Sequence, residues 1–168
     1  MRYLKRFNEA LERDVDGDFT AATLDEIKDY CELNLAYLLD LGMTIECSNT
    51  IDNDTDTFEC QVDLSFKDVN ALVVLDQVIP FFKRIVNDYE LGELYNTPDK
   101  SNFRFIVVVP PVNGSEYNIS YKELDDVEGM IMDNPSVQRN IAAGFEPMMT
   151  NILFYIKNEK YETFKKVQ

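Results

Sequence analysis

Residues 57–66, TFECQVDLSF, alternate between apolar and polar side chains, and this stretch decides the fold. The apolar set is Phe58, Cys60, Val62, Leu64 and Phe66. Successive side chains of a β-strand point to opposite faces, so the pattern predicts a strand with one apolar face and one polar face. One face of that strand must then pack against other apolar elements.

A second alternating stretch comes just before it, and its apolar set is Met43, Ile45 and Cys47. The polar connection between the stretches, SNTIDNDTDT (48–57), is typical of a hairpin loop. We predict a hairpin in which Cys47 lies opposite Cys60. The same register pairs Ile45 with Val62 and Met43 with Leu64, so all apolar side chains share one face.

The opposite face of this hairpin is the candidate binding surface. It carries Thr44, Glu46, Glu59, Gln61 and Asp63. We expect Glu46, Glu59, Gln61 and Asp63 to form an exposed acidic surface that contacts a basic patch on a partner protein. Charge reversal at these positions should then damage binding and leave thermal stability nearly unchanged.

Three segments have the apolar spacing of amphipathic helices: 2–13, 24–41 and roughly 69–89. The motif T-x-x-E at Thr23 and Glu26 predicts a capping box for the second helix, and Gly42 is suited to end it. Asp68 is the expected N-cap of the third helix. Pro80 either kinks that helix or occupies the first turn of another one.

The C-terminal half adds strands and short helices. The apolar run at 103–109 predicts a central strand covered on both faces, and 117–121 is its expected hairpin partner across the Asn113-Gly114 turn. Segments 122–132 and 136–144 predict short helices separated by Asn134-Pro135. The β-branched and aromatic content of 152–156 favours strands over the alternative of a terminal helix.

Helices and antiparallel strands therefore interleave without a repeating βαβ rhythm. The predicted fold class is α+β, a single domain over residues 1–168 with a mainly antiparallel sheet packed by three to five helices. A chain of 168 residues with 45% hydrophobic side chains can bury a sizeable core.

The composition of the chain restricts the classes of function that it can have. The chain has no histidine, 31 acidic residues and a formal net charge of -15. Histidine is the usual general base near neutral pH and the commonest metal ligand, so its absence disfavours most catalytic mechanisms. The negative charge should repel nucleic acid and attract basic proteins.

The cysteines Cys31, Cys47 and Cys60 are odd in number and lack C-x-x-C spacing, which favours reduced thiols in a cytosol. All three lie on predicted apolar faces, where thiols behave as small hydrophobes. The first residues, MRYLKRFNEAL, contain no apolar core of a signal peptide, and no segment is long enough to span a bilayer. We therefore expect a cytoplasmic protein that binds neither membrane nor nucleic acid directly.

Aspartates at alternate positions are the candidate metal ligands. Asp14, Asp16 and Asp18 resemble the start of a calcium loop, but neither counting register supplies both the central glycine and the final glutamate. Asp52, Asp54 and Asp56 repeat the spacing without a glycine. Both stretches are better explained as solvated loops.

The opening MRYLKRFNE, the helix LDEIKDYCELNLAYLLDLG (24–42) and the alternating strand pair resemble small uncharacterised acidic proteins of large tailed bacteriophages. The resemblance covers about the first 90 residues. It implies an intracellular protein, located in the host cytoplasm if a phage encodes it, and it transfers no catalytic residue.

Two functional hypotheses follow from these observations. The first is a non-enzymatic protein–protein interaction module, such as a phage-encoded inhibitor or accessory protein, that acts through its acidic surface and needs no cofactor. The alternative is a carboxylate-based, divalent-metal-dependent enzyme or a calcium-binding protein. The sequence does not fix the partner or the oligomeric state.

Overall fold

The computed structural model describes residues 21–52, 57–94, 101–108 and 127–157. Its helices are α1 (Ala21–Asn34), α2 (Ala36–Asp40), α3 (Ala71–Asp88), α4 (Val127–Asp133) and α5 (Pro135–Ala142). Its strands are β1 (Thr44–Asp52), β2 (Thr57–Asn70), β3 (Phe103–Val108) and β4 (Met148–Lys157). The predicted helix 2–13 and the predicted strand 117–121 lie outside the described residues.

The four described strands form one antiparallel sheet in the order β1-β2-β4-β3. The apolar face of the sheet packs against α1 and α3, and the two layers share a single buried core. The predicted α+β class is therefore confirmed. The sheet interleaves distant parts of the chain, because β4 inserts between β2 and β3.

The β1–β2 hairpin forms, but its predicted register is wrong by two residues. Cys47 lies opposite Val62, and Cys60 lies opposite Asn49. Side chains repeat every two residues along a strand, so a slip of two leaves every residue on its predicted face. The apolar pattern cannot distinguish these registers. In the observed one, residues 53–56 connect the paired ends of the strands, Asp52 and Thr57.

The helical segment predicted at 24–41 exists, with a break at Leu35 that separates α1 from α2. Gly42 ends it with a φ of +91°, which is the left-handed conformation expected of a terminating glycine. The capping box is wrong, because α1 already begins at Ala21 and Thr23 is buried within its first turn.

The start of α3 also differs from expectation. Asn70, not Asp68, is the N-cap, and its side-chain oxygen accepts a hydrogen bond from the Leu72 backbone N–H at 2.8 Å. Asp68 belongs to an irregular end of β2 and has a φ of +55°. Pro80 lies inside α3, which runs without interruption from Ala71 to Asp88.

The C-terminal elements follow the prediction closely. Residues 148–157 form a strand, and two short helices flank Asn134, whose side chain caps α5. The strand predicted at 103–109 is observed as β3, with alternating buried and half-buried residues. In the described part of the sheet β3 lies at the end of the strand order and pairs with β4, so its expected central position is not observed.

Phe82 of α3 is the centre of the aromatic core. Its ring centroid lies 4.5 Å from that of Phe103, 5.3 Å from that of Phe154 and 5.9 Å from that of Phe105. Tilted and edge-on contacts at these separations are favourable for aromatic rings. This cluster packs α3 against β3 and β4 on the apolar face of the sheet. Polar side chains of the strands lie on the opposite face.

Candidate functional site

Three residues of the predicted binding surface lie together on the polar face of β1 and β2. Glu46 lies directly opposite Asp63, and Gln61 lies directly opposite Ser48 on the neighbouring rung. Glu46 is exposed, whereas Gln61 and Asp63 are half-buried. The predicted face therefore exists at this end of the hairpin.

Glu59 does not belong to this exposed surface, and its predicted exposure is wrong. Its side chain is fully buried, with 0% of its surface accessible. The chain after α3 returns along the end of β4, where the Gly92 N–H donates to the Tyr155 carbonyl and the Lys157 N–H donates to the Glu90 carbonyl. Gly92 packs closely against the Glu59 carboxyl group, since a Cβ atom added at Gly92 would lie 2.7 Å from Glu59 Cδ. Strand alternation cannot reveal that a distant segment covers one end of a polar face.

Asp63 is held in place by side chains from two strands. Ser65 Oγ donates a hydrogen bond to Asp63 Oδ1 at 3.1 Å, and the Asn151 side-chain amide of β4 donates to the same oxygen. Asn151 therefore anchors the carboxylate from the side of the sheet away from β1. A carboxylate oriented in this way keeps its second oxygen, Oδ2, available for a further donor.

The three polar-face residues line a cavity of about 370 Å³ at the β1 side of the sheet, where α1 packs against β1. The complete lining is Leu24, Asp25, Lys28, Ile45, Glu46, Cys47, Ser48, Gln61 and Asp63. The residues of the lining include three acids and one lysine, and they come from both faces of β1 as well as from α1. The Lys28 ammonium lies 4.0 Å from Glu32 on the next turn of α1, so this cation is shared with an acid that does not line the cavity.

Sequence reasoning missed Asp25 and Lys28 as site residues. They lie three positions apart in α1, so both belong to one side of the helix. Hydrophobic spacing identifies the buried side of a helix, but it does not indicate which strand that side meets. The polar flank of α1 could have been assigned to the hairpin only with knowledge of the packing.

The cysteines separate into two environments. Cys31 and Cys60 are fully buried, as expected of small hydrophobic side chains. Cys47 is half-buried and packs against the core, as its apolar face predicts, and it also lines the cavity. The neighbouring Cys60 thiol is the largest influence on Cys47 and lowers its pKa, with Lys28 acting in the same direction. The Cys60 S–H itself donates to the Gln61 carbonyl at 3.8 Å. Burial raises the pKa of Cys31.

The predicted metal ligands Asp14, Asp16 and Asp18 lie outside the described residues, as do Asp54 and Asp56. Asp52 is the last residue of β1. Across the ranges that the structure describes, no three acidic or cysteine side chains are close enough together to hold a metal ion. The carboxylates of the cavity are thus arranged around an open volume and do not converge on one point.

Comparison of the chain with protein-family models, with curated proteins and with solved structures finds no match. Within the described ranges, no helix combines the length and the apolar character needed to cross a bilayer. The geometry of the cavity is therefore the basis for assigning a function.

Proposed function

We propose that this chain is a protein-binding module whose cavity, lined by Asp25, Glu46 and Asp63, accepts a basic side chain of a partner protein. The observation that carries the proposal is the direct opposition of Glu46 and Asp63 across the β1–β2 pair. Like charges in directly opposed positions destabilise a sheet. A cation bound between them would offset that repulsion.

The size of the cavity suits one long side chain. Its volume of about 370 Å³ is at the lower end of the range of roughly 300–1,000 Å³ that is usual for small-ligand sites. Arginine presents a planar fork of donors that matches carboxylates, and lysine presents a compact ammonium group. Ser48 and the Gln61 amide add neutral hydrogen-bonding groups beside the carboxylates.

The charge of the whole chain supports the same partner class. A formal net charge of -15 would attract a basic protein over a distance and repel the phosphates of nucleic acid. This attraction accelerates encounter and weakens as salt is added. A phage-encoded inhibitor or accessory protein in the host cytoplasm is the biological setting that we propose for such a module.

A labelled oligoarginine peptide provides a direct test by fluorescence anisotropy. We expect Glu46→Gln to weaken peptide binding about fivefold, which corresponds to ~1 kcal/mol for a partly exposed ion pair. Asp76→Asn is the matched control, because Asp76 is an exposed acid of α3 that does not line the cavity. Both variants change the net charge by the same amount.

Equal weakening by the two variants would show that only net charge matters and would reject the cavity as the site. Binding of the wild-type chain should also fall steeply between low and physiological salt. An affinity that does not change with salt would remove the electrostatic basis of the proposal.

The alternative metal-dependent function is tested by calorimetric titration with magnesium, manganese and calcium. The described carboxylates do not favour it, since they surround a cavity without forming a ligand cluster. Saturable heat at millimolar metal, abolished by Glu46→Gln or Asp63→Asn, would replace the protein-binding proposal with a cation site in the same cavity.

A further inference from the structure

The cavity of the proposed site runs along the outer edge of β1. Its lining includes the consecutive residues 45–48 of this strand. Side chains of a strand alternate between the two faces, so a cavity lined by consecutive residues reaches both faces. It can do so only past an edge of the strand. Because β2 occupies one edge of β1, the cavity lies at the other edge.

No described strand pairs with this outer edge. The strand order in the described part of the sheet is β1-β2-β4-β3, which makes β1 an edge strand. Alternate residues of an antiparallel strand direct both their N–H and their C=O groups to the same side. Every second residue of 45–48 therefore directs its backbone groups away from β2 and towards the cavity, where they can pair with an extended chain.

Helix α1 forms the other wall of the cavity. It packs against β1 from the apolar face of the sheet and contributes Leu24, Asp25 and Lys28 to the lining. The space is thus a groove between a strand edge and a helix. At the usual rise of a strand, residues 45–48 extend over about 13 Å, so the groove matches an extended segment of about four residues.

The two sides of the groove differ in character. Glu46 and Asp63 lie on the polar face of the sheet, whereas Ile45 and Cys47 lie on the apolar face, next to Leu24 of α1. An extended segment in the groove would alternate its side chains between these two sides. Basic residues at every second position would then face the carboxylates, and apolar residues between them would face α1.

We propose that the partner presents its basic side chain from an extended segment, which adds to the outer edge of β1 as a further strand and has basic residues at alternate positions. This inference rests on the proposed function and adds the binding mode and the sequence pattern of the partner. In this kind of recognition, main-chain hydrogen bonds supply affinity and the pockets for alternate side chains supply specificity.

The charge of the chain favours a basic partner over a second copy at this edge. Each copy carries a formal net charge of -15. Pairing two copies through β1 would bring two such acidic chains into contact, and like charges are destabilising between paired strands. A basic segment instead brings charge that is complementary to Glu46 and Asp63.

Peptides of one composition and different order test the sequence pattern. End-capped, labelled Arg-Val-Arg-Val-Arg-Val and Arg-Arg-Arg-Val-Val-Val carry the same charge, and fluorescence anisotropy compares their affinities for the wild-type protein. We expect the alternating peptide to bind about tenfold more tightly, because only it presents arginines to one side while its backbone pairs with β1. Equal affinities would overturn the proposal.

Methylation of the peptide backbone tests the strand pairing itself. Two versions of the alternating peptide carry N-methyl groups either on the arginines or on the valines, so both keep every side chain and every charge. Alternate residues direct their N–H groups to opposite sides, so only one version should lose affinity, by about tenfold, and the other should bind like the parent. Equal effects of the two methylation patterns would contradict pairing with β1.

Hydrogen exchange of the wild-type protein provides a readout that needs no variant. Binding of the alternating peptide should slow exchange of the groove-facing amides within residues 45–48. Amides of 45–48 that are all protected in the free protein would show that the edge is already occupied. A ligand-free dimer, detected by sedimentation, that protects the same amides would assign the edge to a second copy. Either result would overturn the proposal.

The same peptides separate a failure of this inference from a failure of the proposed function. If both peptides bind in a manner that Glu46→Gln weakens, while order and methylation have no effect, the cavity accepts a basic side chain without strand pairing. The proposed function then stands and this inference is rejected. If Glu46→Gln weakens the binding of neither peptide, both are rejected.

Discussion

Glu46 and Asp63 lie directly opposite each other on the antiparallel strands β1 and β2, with both side chains on the polar face of the sheet. Asp63 is oriented by Ser65 and by Asn151 of β4, while Glu46 is exposed and lines the cavity. Two carboxylates on one rung repel each other. The repulsion between these two carboxylates is therefore located where we propose that a basic side chain of the partner binds.

The first prediction follows from that repulsion. Glu46→Gln should increase the free energy of unfolding by about 0.2–1 kcal/mol in the ligand-free protein, because it removes a like-charge cross-strand pair. Urea unfolding at low salt measures the change, and added salt should reduce the gain. A loss of stability in Glu46→Gln would show that Glu46 makes a favourable contact in the free protein.

The second prediction concerns the start of α3. Asn70→Ala should lower the free energy of unfolding by about 0.5–2 kcal/mol, because the Leu72 N–H loses its side-chain acceptor. Asn70→Ser, which keeps an acceptor oxygen, is the matched control and should lose less. Asp68→Gly should instead stabilise the protein by about 1 kcal/mol, since glycine tolerates the φ of +55° at this position. If Asp68→Gly destabilised the protein and Asn70→Ala did not, Asp68 and not Asn70 would be the N-cap of α3.

The third prediction concerns Pro80, which is exposed inside the 18-residue helix α3. Proline lacks the N–H that would bond to the preceding turn, and its ring crowds the carbonyl there. Pro80→Ala should therefore increase the free energy of unfolding by up to about 3 kcal/mol. The midpoint of thermal unfolding should rise accordingly. Val73→Ala on an exposed part of the same helix should change stability by less than about 0.5 kcal/mol. A loss of stability in Pro80→Ala would show that packing of α3 requires the geometry that proline imposes.

The fourth prediction tests the segment that covers Glu59. A Cβ atom at Gly92 would lie 2.9 Å from Tyr155 Cβ and 2.7 Å from Glu59 Cδ, which is closer than side chains tolerate. Gly92→Ala should lower the free energy of unfolding by about 1–3 kcal/mol through overpacking.

A double-mutant cycle separates this crowding from backbone strain. Gly92→Ala should cost less in a Glu59→Ala background, because one of the two clashing groups is gone. Gly42→Ala provides the control, since nothing lies within 4 Å of its added Cβ and its cost comes from a φ of +91° alone. Additive effects of Gly92→Ala and Glu59→Ala would contradict the contact between them.

The sequence was sufficient for the features that depend on local periodicity. Alternation at 57–66 identified β2 and both of its faces, and helical spacing identified α1 and α3. It could not set the β1–β2 register, because a slip of two residues moves no side chain to the other face. It also missed the burial of Glu59, which depends on a segment more than 30 residues away in the chain returning along β4.

The candidate site was predictable only in part, because some of its residues are brought together by tertiary packing. Glu46, Gln61 and Asp63 were identified from strand alternation, and the structure places them around one cavity. Asp25 and Lys28 come from a helix whose packing against β1 is a tertiary feature. Cys47 has the apolar spacing of a core residue, yet it lies close enough to the sheet edge to reach the cavity.

Titration of isotopically labelled protein with oligoarginine, followed by amide chemical-shift changes, tests the central claim most directly. If the cavity accepts a basic side chain, saturable shifts should concentrate at Asp25, Glu46, Ser48, Gln61 and Asp63, and they should weaken together as salt is added. Shifts distributed evenly over exposed acids away from the cavity, such as Asp76 and Asp133, would contradict the account.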